Sequence, residues 1–567
     1  MSLSSLAQYV LFLGVVTLLV KPAGIYLARV FDGGHTWLDR GLKPIERLIY
    51  RLARVNPLVE MSWSEYAIAF VVFTALGTLL LYAILRLQMF LPGGPAASDL
   101  TTPMTPDLAI NTAASFSTTT TWQAYAGEST MRYWTQLLGL AGQNFFAGAA
   151  GLAVGIAFIR GFARKSVSTI GNFWVDLVRS ILWVLLPLSV IGSLILIWQG
   201  VPMTFAPYAK VTTVQGDLQT IARGPVAALE FIKNLGTNGG GFFNANGAHP
   251  FEGPTPLANL LSMFAIAVLP ASLTYTFGRM VERPKAGWIL YGVMVFLFIV
   301  GLVICDVGET RGNPLVAQLG VTNSSMEGKE VRFGIPQTVL TAITTSEGAT
   351  GSTNAMHDSF MPMSVSVPLC NMMLGEIVFG GLGTGLYSIV MVALVGLFLA
   401  GLMTGRTPEY LGKKIGPGEM KLVALFALVT PVAVLIPTAA AVVCSGGLAG
   451  LGTNTGAHGL TEILYAYTSC CANNGQAMAG LNTNSLFYNL TTIPVMLMGR
   501  FGMAIPALAL AGRLATQGRR SQHPGTMPSD TLLFATVVVS SAILIVLLSF
   551  LPALALGTMV ECFQLPH

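Results

Sequence analysis

Four short stretches of this chain have the composition to hold an ion with backbone oxygen. In Thr237-Asn238-Gly239-Gly240-Gly241-Phe242-Phe243-Asn244, three consecutive glycines interrupt a chain that is 53% hydrophobic. Glycine is costly in a helix, but it lets carbonyls turn toward a bound ion because no Cβ blocks close approach. Related stretches are Thr118-Thr119-Thr120-Thr121-Trp122-Gln123, Gly348-Ala349-Thr350-Gly351-Ser352 and Ala472-Asn473-Asn474-Gly475. The candidate ligands are Thr118, Thr119, Thr120, Thr121, Thr237, Asn238, Gly239, Ala349, Thr350, Gly351, Asn473, Asn474 and Gly475. Carbonyl and hydroxyl oxygen without carboxylate suits a weakly hydrated monovalent cation, whereas a divalent site calls for carboxylates. Glu347 is the acid beside one stretch, and it reads as the end of a half-helix rather than a ligand. One glycine-rich loop alone is commonly a plain turn. The fourfold recurrence carries the assignment.

The elements that must position these stretches are membrane helices. Charged residues make up 10% of the 567 residues, against about 25% in soluble domains. Mean hydropathy is +0.67. Ten apolar runs approach or exceed the ~20 residues that cross a bilayer. They cover 3–24, 64–86, 133–159, 176–198, 255–277, 286–306, 365–403, 420–443, 486–512 and 531–556. Basic residues concentrate between the first two runs (Arg29, Arg40, Lys43, Arg47, Arg51, Arg54) and in every second loop after them. The later markers are Arg160, Arg164 and Lys165; Arg279, Arg283 and Lys285; Arg406, Lys413, Lys414 and Lys421; and Arg513, Arg519 and Arg520. The positive-inside rule puts these loops in the cytoplasm and both termini outside.

All four stretches then fall on the external side. Each follows a weakly apolar segment too short to span: Asp107–Ser117, Val226–Gly236, Pro336–Glu347 and Thr461–Cys471. Such segments read as re-entrant half-helices, tolerated at that depth where protein or water surrounds them. Their C-terminal ends, partially negative through the helix dipole, favour a cation at the centre. The expected fold is an all-α polytopic membrane protein with four helix–pore loop–helix repeats, like a potassium channel. Residues 1–60 hold the first helix and a basic loop, and the repeats occupy 61–165, 166–285, 286–415 and 416–522, the third with a broken inner helix. Residues 523–567 hold the last helix.

Below the loops, residues 361–404 form an apolar stretch twice the length of one span. The run Gly380-Gly381-Leu382-Gly383-Thr384-Gly385 should break it, as in transporters with discontinuous helices. A long tilted helix with tight glycine packing is the alternative. Glu376 is an intramembrane acid and so a functional candidate. Arg406 and Arg500 are placed near the cytoplasmic ends of the seventh and ninth spans. The six cysteines show no metal spacing and read as packing residues. His249, His357 and His458 share the external side without a metal motif, and read as packing or capping residues. The first apolar run lacks a basic n-region and a cleavage site, so it reads as a retained helix.

Several stretches carry a resemblance. Leu235 to Asn246 followed by His249-Pro250-Phe251-Glu252 is similar to the second filter loop of the potassium-binding A subunits of bacterial Kdp potassium-transporting ATPases. Met326-Glu327-Gly328-Lys329-Glu330 with Arg332-Phe333-Gly334, Met356 to Phe360, Gly405 to Lys414 and Gly499-Arg500-Phe501-Gly502 resemble the same family. The chain departs from the family's pattern in three loops: Thr119 and Thr121 replace amides, Ala349-Thr350-Gly351 fits loosely, and Ala472 shortens the asparagine run.

The resemblance implies a non-catalytic, potassium-binding subunit of an ATP-driven uptake complex in the bacterial inner membrane. Potassium would be selected at the four loops and passed through an intramembrane tunnel to the P-type ATPase, the B chain of the Kdp complex, with small C and F chains beside it. In that family cationic residues matching Arg406 and Arg500 lie near the cytoplasmic side of the ion vestibule, where positive charge opposes leakage; Glu376 is a further gating candidate, though a hydrogen bond to neighbouring backbone would satisfy it equally well. The chain has no G-x-x-x-x-G-K-[ST] phosphate loop, so no nucleotide is expected on it. Its expected contacts are these B, C and F chains and membrane lipid, with no nucleic acid. A stand-alone potassium channel or an ion-gradient-driven transporter is the alternative. No Ser/His, Asp/Asp or His/Glu pairing on facing spans stands out to suggest an intramembrane hydrolase.

Overall fold

The structure, a computed structural model, describes all residues except 1, 2, 322–324, 406, 407, 453, 520–526, 566 and 567. Ten helical segments among the described residues are long and apolar enough to cross a bilayer, from Leu3–Phe31 to Leu532–Gln564. Their starts follow local chemistry. Ser62 and Glu65 form a capping box at the second span, and the Thr255, Ser485 and Thr531 side chains accept amide bonds at the starts of the fifth, ninth and tenth.

The spans divide by depth. In the third, fifth, seventh and ninth, 89, 67, 67 and 61% of the apolar window is buried, against 28–44% in the other six. The four buried spans are those that follow each loop, so they line the centre while the other six leave more of their surface exposed. The third carries Gly148, Gly151, Gly155 and Gly161 along its length. These small residues let backbones approach, which is how helices associate where no hydrophobic drive operates.

The four half-helices are present as Pro106–Ser117, Val226–Leu235, Gly334–Glu347 and Gly456–Cys471, and their inward ends are buried. The 361–404 stretch is broken. A helix at Pro362–Met373 stops, residues 374–383 are irregular, and a second helix runs Thr384–Thr404. Gly375, Glu376, Phe379 and Gly383 in the break all have positive φ. The irregular backbone sits against protein: a Cβ on Gly151 would lie 2.6 Å from the Leu382 carbonyl oxygen, and one on Gly155 would lie 2.7 Å from Gly383 Cα.

A short helix, Asp39–Leu52, follows the first span. Its acids turn inward, where Asp39 meets Lys43 at 2.8 Å and Trp183 at 3.1 Å, and Glu46 meets Arg179 at 3.1 Å. Arg40, Arg47 and Arg51 stay exposed.

Candidate ion site

Each half-helix ends in the same backbone device. The first residue beyond the helix cap lies in the left-handed region: Thr119 (φ 67°), Thr237 (φ 51°), Ala349 (φ 49°) and Asn473 (φ 53°). The next amide donates to the carbonyl five residues back: Thr120 to Ser115, Asn238 to Lys233, Thr350 to Thr345 and Asn474 to Ser469, at 2.8–3.1 Å. These are Schellman ends, which satisfy carbonyls that a helix terminus would leave open. Two residues past each left-handed position φ is positive again, at Thr121, Gly239, Gly351 and Gly475. Three of the eight positions hold threonine, although β-branched residues rarely adopt positive φ. Such strain persists where surrounding structure over-determines it, commonly at binding sites.

The four ends meet in a closed ring. The Thr121 hydroxyl donates to the Asn238 carbonyl, joining the first loop to the second. A Cβ on Gly239 would overlap the Thr350 carbonyl, one on Gly351 the Asn474 carbonyl, and one on Gly475 the Thr120 carbonyl. Thr120, Asn238, Thr350 and Asn474 are thus equivalent positions, each presenting its carbonyl to a neighbouring loop. Asn473 Nδ2 adds a 2.9 Å bond to Thr120 Oγ1, and Asn474 Nδ2 a 3.0 Å bond to the Thr345 carbonyl. Thr118 Oγ1 lies 2.8 Å from Thr120 Oγ1 within the first loop.

The ring separates two cavities. An outer one of about 420 Å3 is lined by Thr121, Gly240, Gly351 and Gly475 among others. An inner one of about 10 Å3, near the volume one water needs, is lined by Thr119, Thr237, Ala349 and Asn473 together with Glu376 and Arg500. All the loop candidates therefore come together, and so do two of the three residues proposed beneath them. Arg406 lies outside the described residues, as do Thr407 and Arg520.

Arg500 corrects its expected position. The ninth span runs Leu486–Thr516, so Arg500 is at mid-helix rather than near the cytoplasmic end. Its guanidinium reaches up to Thr119 Oγ1 and the Ala147 carbonyl, both at 3.0 Å, and stacks 5.3 Å from the Phe70 ring centre. Its partners Phe70 of the second span, Thr119 of the first loop and Ala147 of the third span let it stay at that depth. Glu376 is buried within the break. The same break touches the ring, for the Leu382 amide donates to Thr237 Oγ1 at 2.7 Å.

Behind the ring lie buried ions that pattern reading missed. Lys233, fully buried, sits 2.6 Å from Glu230 and 2.5 Å from Glu252. Glu252 Oε1 also accepts the Phe243 amide at 2.7 Å, so the triad ties the second half-helix to the chain beyond its loop. Lys329 and Glu309 make a second buried pair at 2.8 Å, with Glu309 accepting the Met361 amide. The available signal was Glu230 and Lys233 at i, i+3 on an otherwise apolar half-helix. Glu347 ends the third half-helix, buried, and its carboxylate is not part of the ring.

The family described as "Potassium-transporting ATPase A subunit" matches residues 10–563. The potassium-transporting ATPase potassium-binding subunit of Methylorubrum extorquens is 50% identical over 563 residues, covering 99% of this chain and 98% of that protein. The subunit of the same name from Mesorhizobium japonicum is 49% identical over 567 residues, covering 100 and 99%. Among solved structures, the potassium transporter TrkH from Vibrio parahaemolyticus aligns with 70% of this chain and 77% of its own, at 15% identity and a TM-score of 0.48. A match over almost the whole length, on a ten-span frame with four equivalent loops, makes this chain a member of the potassium-transporting ATPase A-subunit family.

Proposed function

We propose that the four loops are the potassium selectivity filter of an ATP-driven uptake complex, with Thr118–Thr121, Thr237–Gly239, Ala349–Gly351 and Asn473–Gly475 supplying the oxygen ligands. The observation that carries this reading is the closed ring of equivalent carbonyls at Thr120, Asn238, Thr350 and Asn474. Four helix C-termini converge there, so the dipoles favour a cation. Neutral oxygen ligands replace the hydration shell of potassium at lower cost than that of a smaller or divalent ion.

Potassium enters from the external cavity, sheds water in the ring and reaches the inner cavity above the break. There the buried Arg500 charge opposes passage straight to the cytoplasm, and Glu376 lies on the same cavity. The ion moves sideways through an intramembrane tunnel to a separate P-type ATPase chain, the B chain, which hydrolyses ATP, and small C and F chains complete the complex. The potassium-binding chain sits in the bacterial inner membrane with both termini outside. Arg406 guards the cytoplasmic side.

The test is cation-stimulated ATP hydrolysis by the complex purified through this chain, titrated with potassium and then sodium. Gly239→Asp puts a side chain and a charge where the Thr350 carbonyl sits. It is expected to raise the half-saturating potassium concentration at least tenfold, about 1.4 kcal/mol of lost binding, and to narrow the preference over sodium. Unchanged stimulation and discrimination would remove this loop from the filter. Potassium conduction by the isolated chain in liposomes, with no ATPase co-purifying, would make it a channel or secondary transporter.

A further inference from the structure

On the external rim, away from the ring, a second polar cluster gathers residues from the third repeat, the fourth repeat and the last helix. His458 and Glu462 stand one turn apart on the fourth half-helix, and Asp358 comes from the short turn His357–Ser359 beyond the third loop. One donor atom from each lies within 4.8 Å of the others. His458 Nε2 is 2.8 Å from Asp358 Oδ1 and 3.9 Å from Glu462 Oε1. The Asn454 amide approaches both acids, at 2.6 Å from Glu462 Oε1 and 3.3 Å from Asp358 Oδ2.

Two features separate this cluster from an ordinary ion pair. The Glu462 side chain has no exposed surface, and its Oε2 accepts no hydrogen bond among the described residues. The second feature is the outer nitrogen of the histidine. Nδ1 lies 2.6 Å from Glu561 Oε1 on the C-terminal helix Val560–Gln564. A carboxylate holding one imidazole nitrogen while the other faces the ligand group is the usual support for a metal-bound histidine.

We propose that Asp358, His458 and Glu462 form a binding site for a zinc-class divalent metal on the outer rim, with Glu561 orienting the imidazole. One imidazole and two carboxylates match the donors that zinc takes in tetrahedral sites, with water in the fourth position. Alkaline-earth ions prefer six or more oxygens, which this cluster lacks. An entry path exists, since Glu462 lines the outer cavity and Asp358 and His458 are part-exposed. The Asp358 amide bonds the Met478 carbonyl at 2.9 Å in the chain that leaves the fourth loop. A bound metal therefore clamps the third repeat, the fourth repeat and the C-terminal helix at the mouth of the pathway.

The experiment uses the full complex, stripped with chelator and dialysed against Zn2+ alone, with bound metal counted by mass spectrometry and cobalt substitution read by visible absorption. The expected result is one equivalent per chain with micromolar or tighter affinity. His458→Ala and Glu462→Gln should each weaken it at least tenfold, and Glu561→Gln about 10- to 100-fold. Glu462→Gln keeps the size and the Asn454 contact, so it serves if His458→Ala does not assemble. Binding of less than one equivalent, or affinity unchanged in Glu462→Gln and Glu561→Gln, would reduce the cluster to an ion pair.

Discussion

Lys233 shows how much a single side chain holds at the ring. Its ammonium stands between two buried carboxylates, and its own carbonyl accepts the amides of Asn238 and Gly239. Replacing it with methionine keeps the volume but leaves Glu230 and Glu252 facing each other without a cation. Loss of one partner from a buried ion cluster costs about 3–5 kcal/mol. Lys233→Met is therefore expected to lower the thermal unfolding temperature of the purified chain by several degrees and weaken potassium stimulation. A transition matching that of the unaltered chain would show that the triad carries no such load. Such residues were only half legible. Glycines advertised the second loop, but the left-handed positions are Thr119, Thr237, Ala349 and Asn473, none of them glycine, so nothing in the residue types marked the common register.

Among the elements, the break at 374–383 is opened by its own glycines and held in place by contacts. Gly151 and Gly155 of the third span leave the space it occupies. A Gly155→Leu substitution would push the break away from that span and from Thr237. It is expected to reduce potassium-stimulated hydrolysis by about tenfold, ~1.4 kcal/mol of barrier, with the chain still assembled. Full activity would detach the break from transport. The helix Asp39–Leu52 is docked by charge instead. Burial disfavours the ionised Asp39, yet the hydrogen bonds from Lys43, Thr36 and Trp183 outweigh it and hold the carboxyl below its ordinary range. A carboxyl lowered in the folded state stabilises fully above its unfolded value of about 4, and that contribution is lost as pH falls through the folded value. Thermal unfolding followed from about pH 7 to pH 3 should show an acid loss that is smaller in Asp39→Asn. Equal losses would assign the acid sensitivity elsewhere.

For the whole molecule, the charge pattern makes a claim about orientation. Basic residues gather in alternate loops, from which the positive-inside rule expects both termini and all four ring loops outside. A fluorescent protein that matures only in the cytoplasm, fused after residue 567, should stay dark, while an exported phosphatase at the same point should be active. The reverse pair of signals would invert the topology and the direction of ion entry proposed for it.

The membrane class, the ten spans, the four half-helices and the break below them were legible in the sequence, because a bilayer demands ~20 apolar residues per crossing and glycine runs interrupt helices. Tertiary structure alone decided the rest. The depth of Arg500, the buried Lys233 and Lys329 ion groups and the cluster around His458 depend on residues brought together from distant repeats. The ring itself is of this kind: each carbonyl is set by a local Schellman end, but its neighbour lies more than a hundred residues away, and no spacing along the chain encodes that meeting.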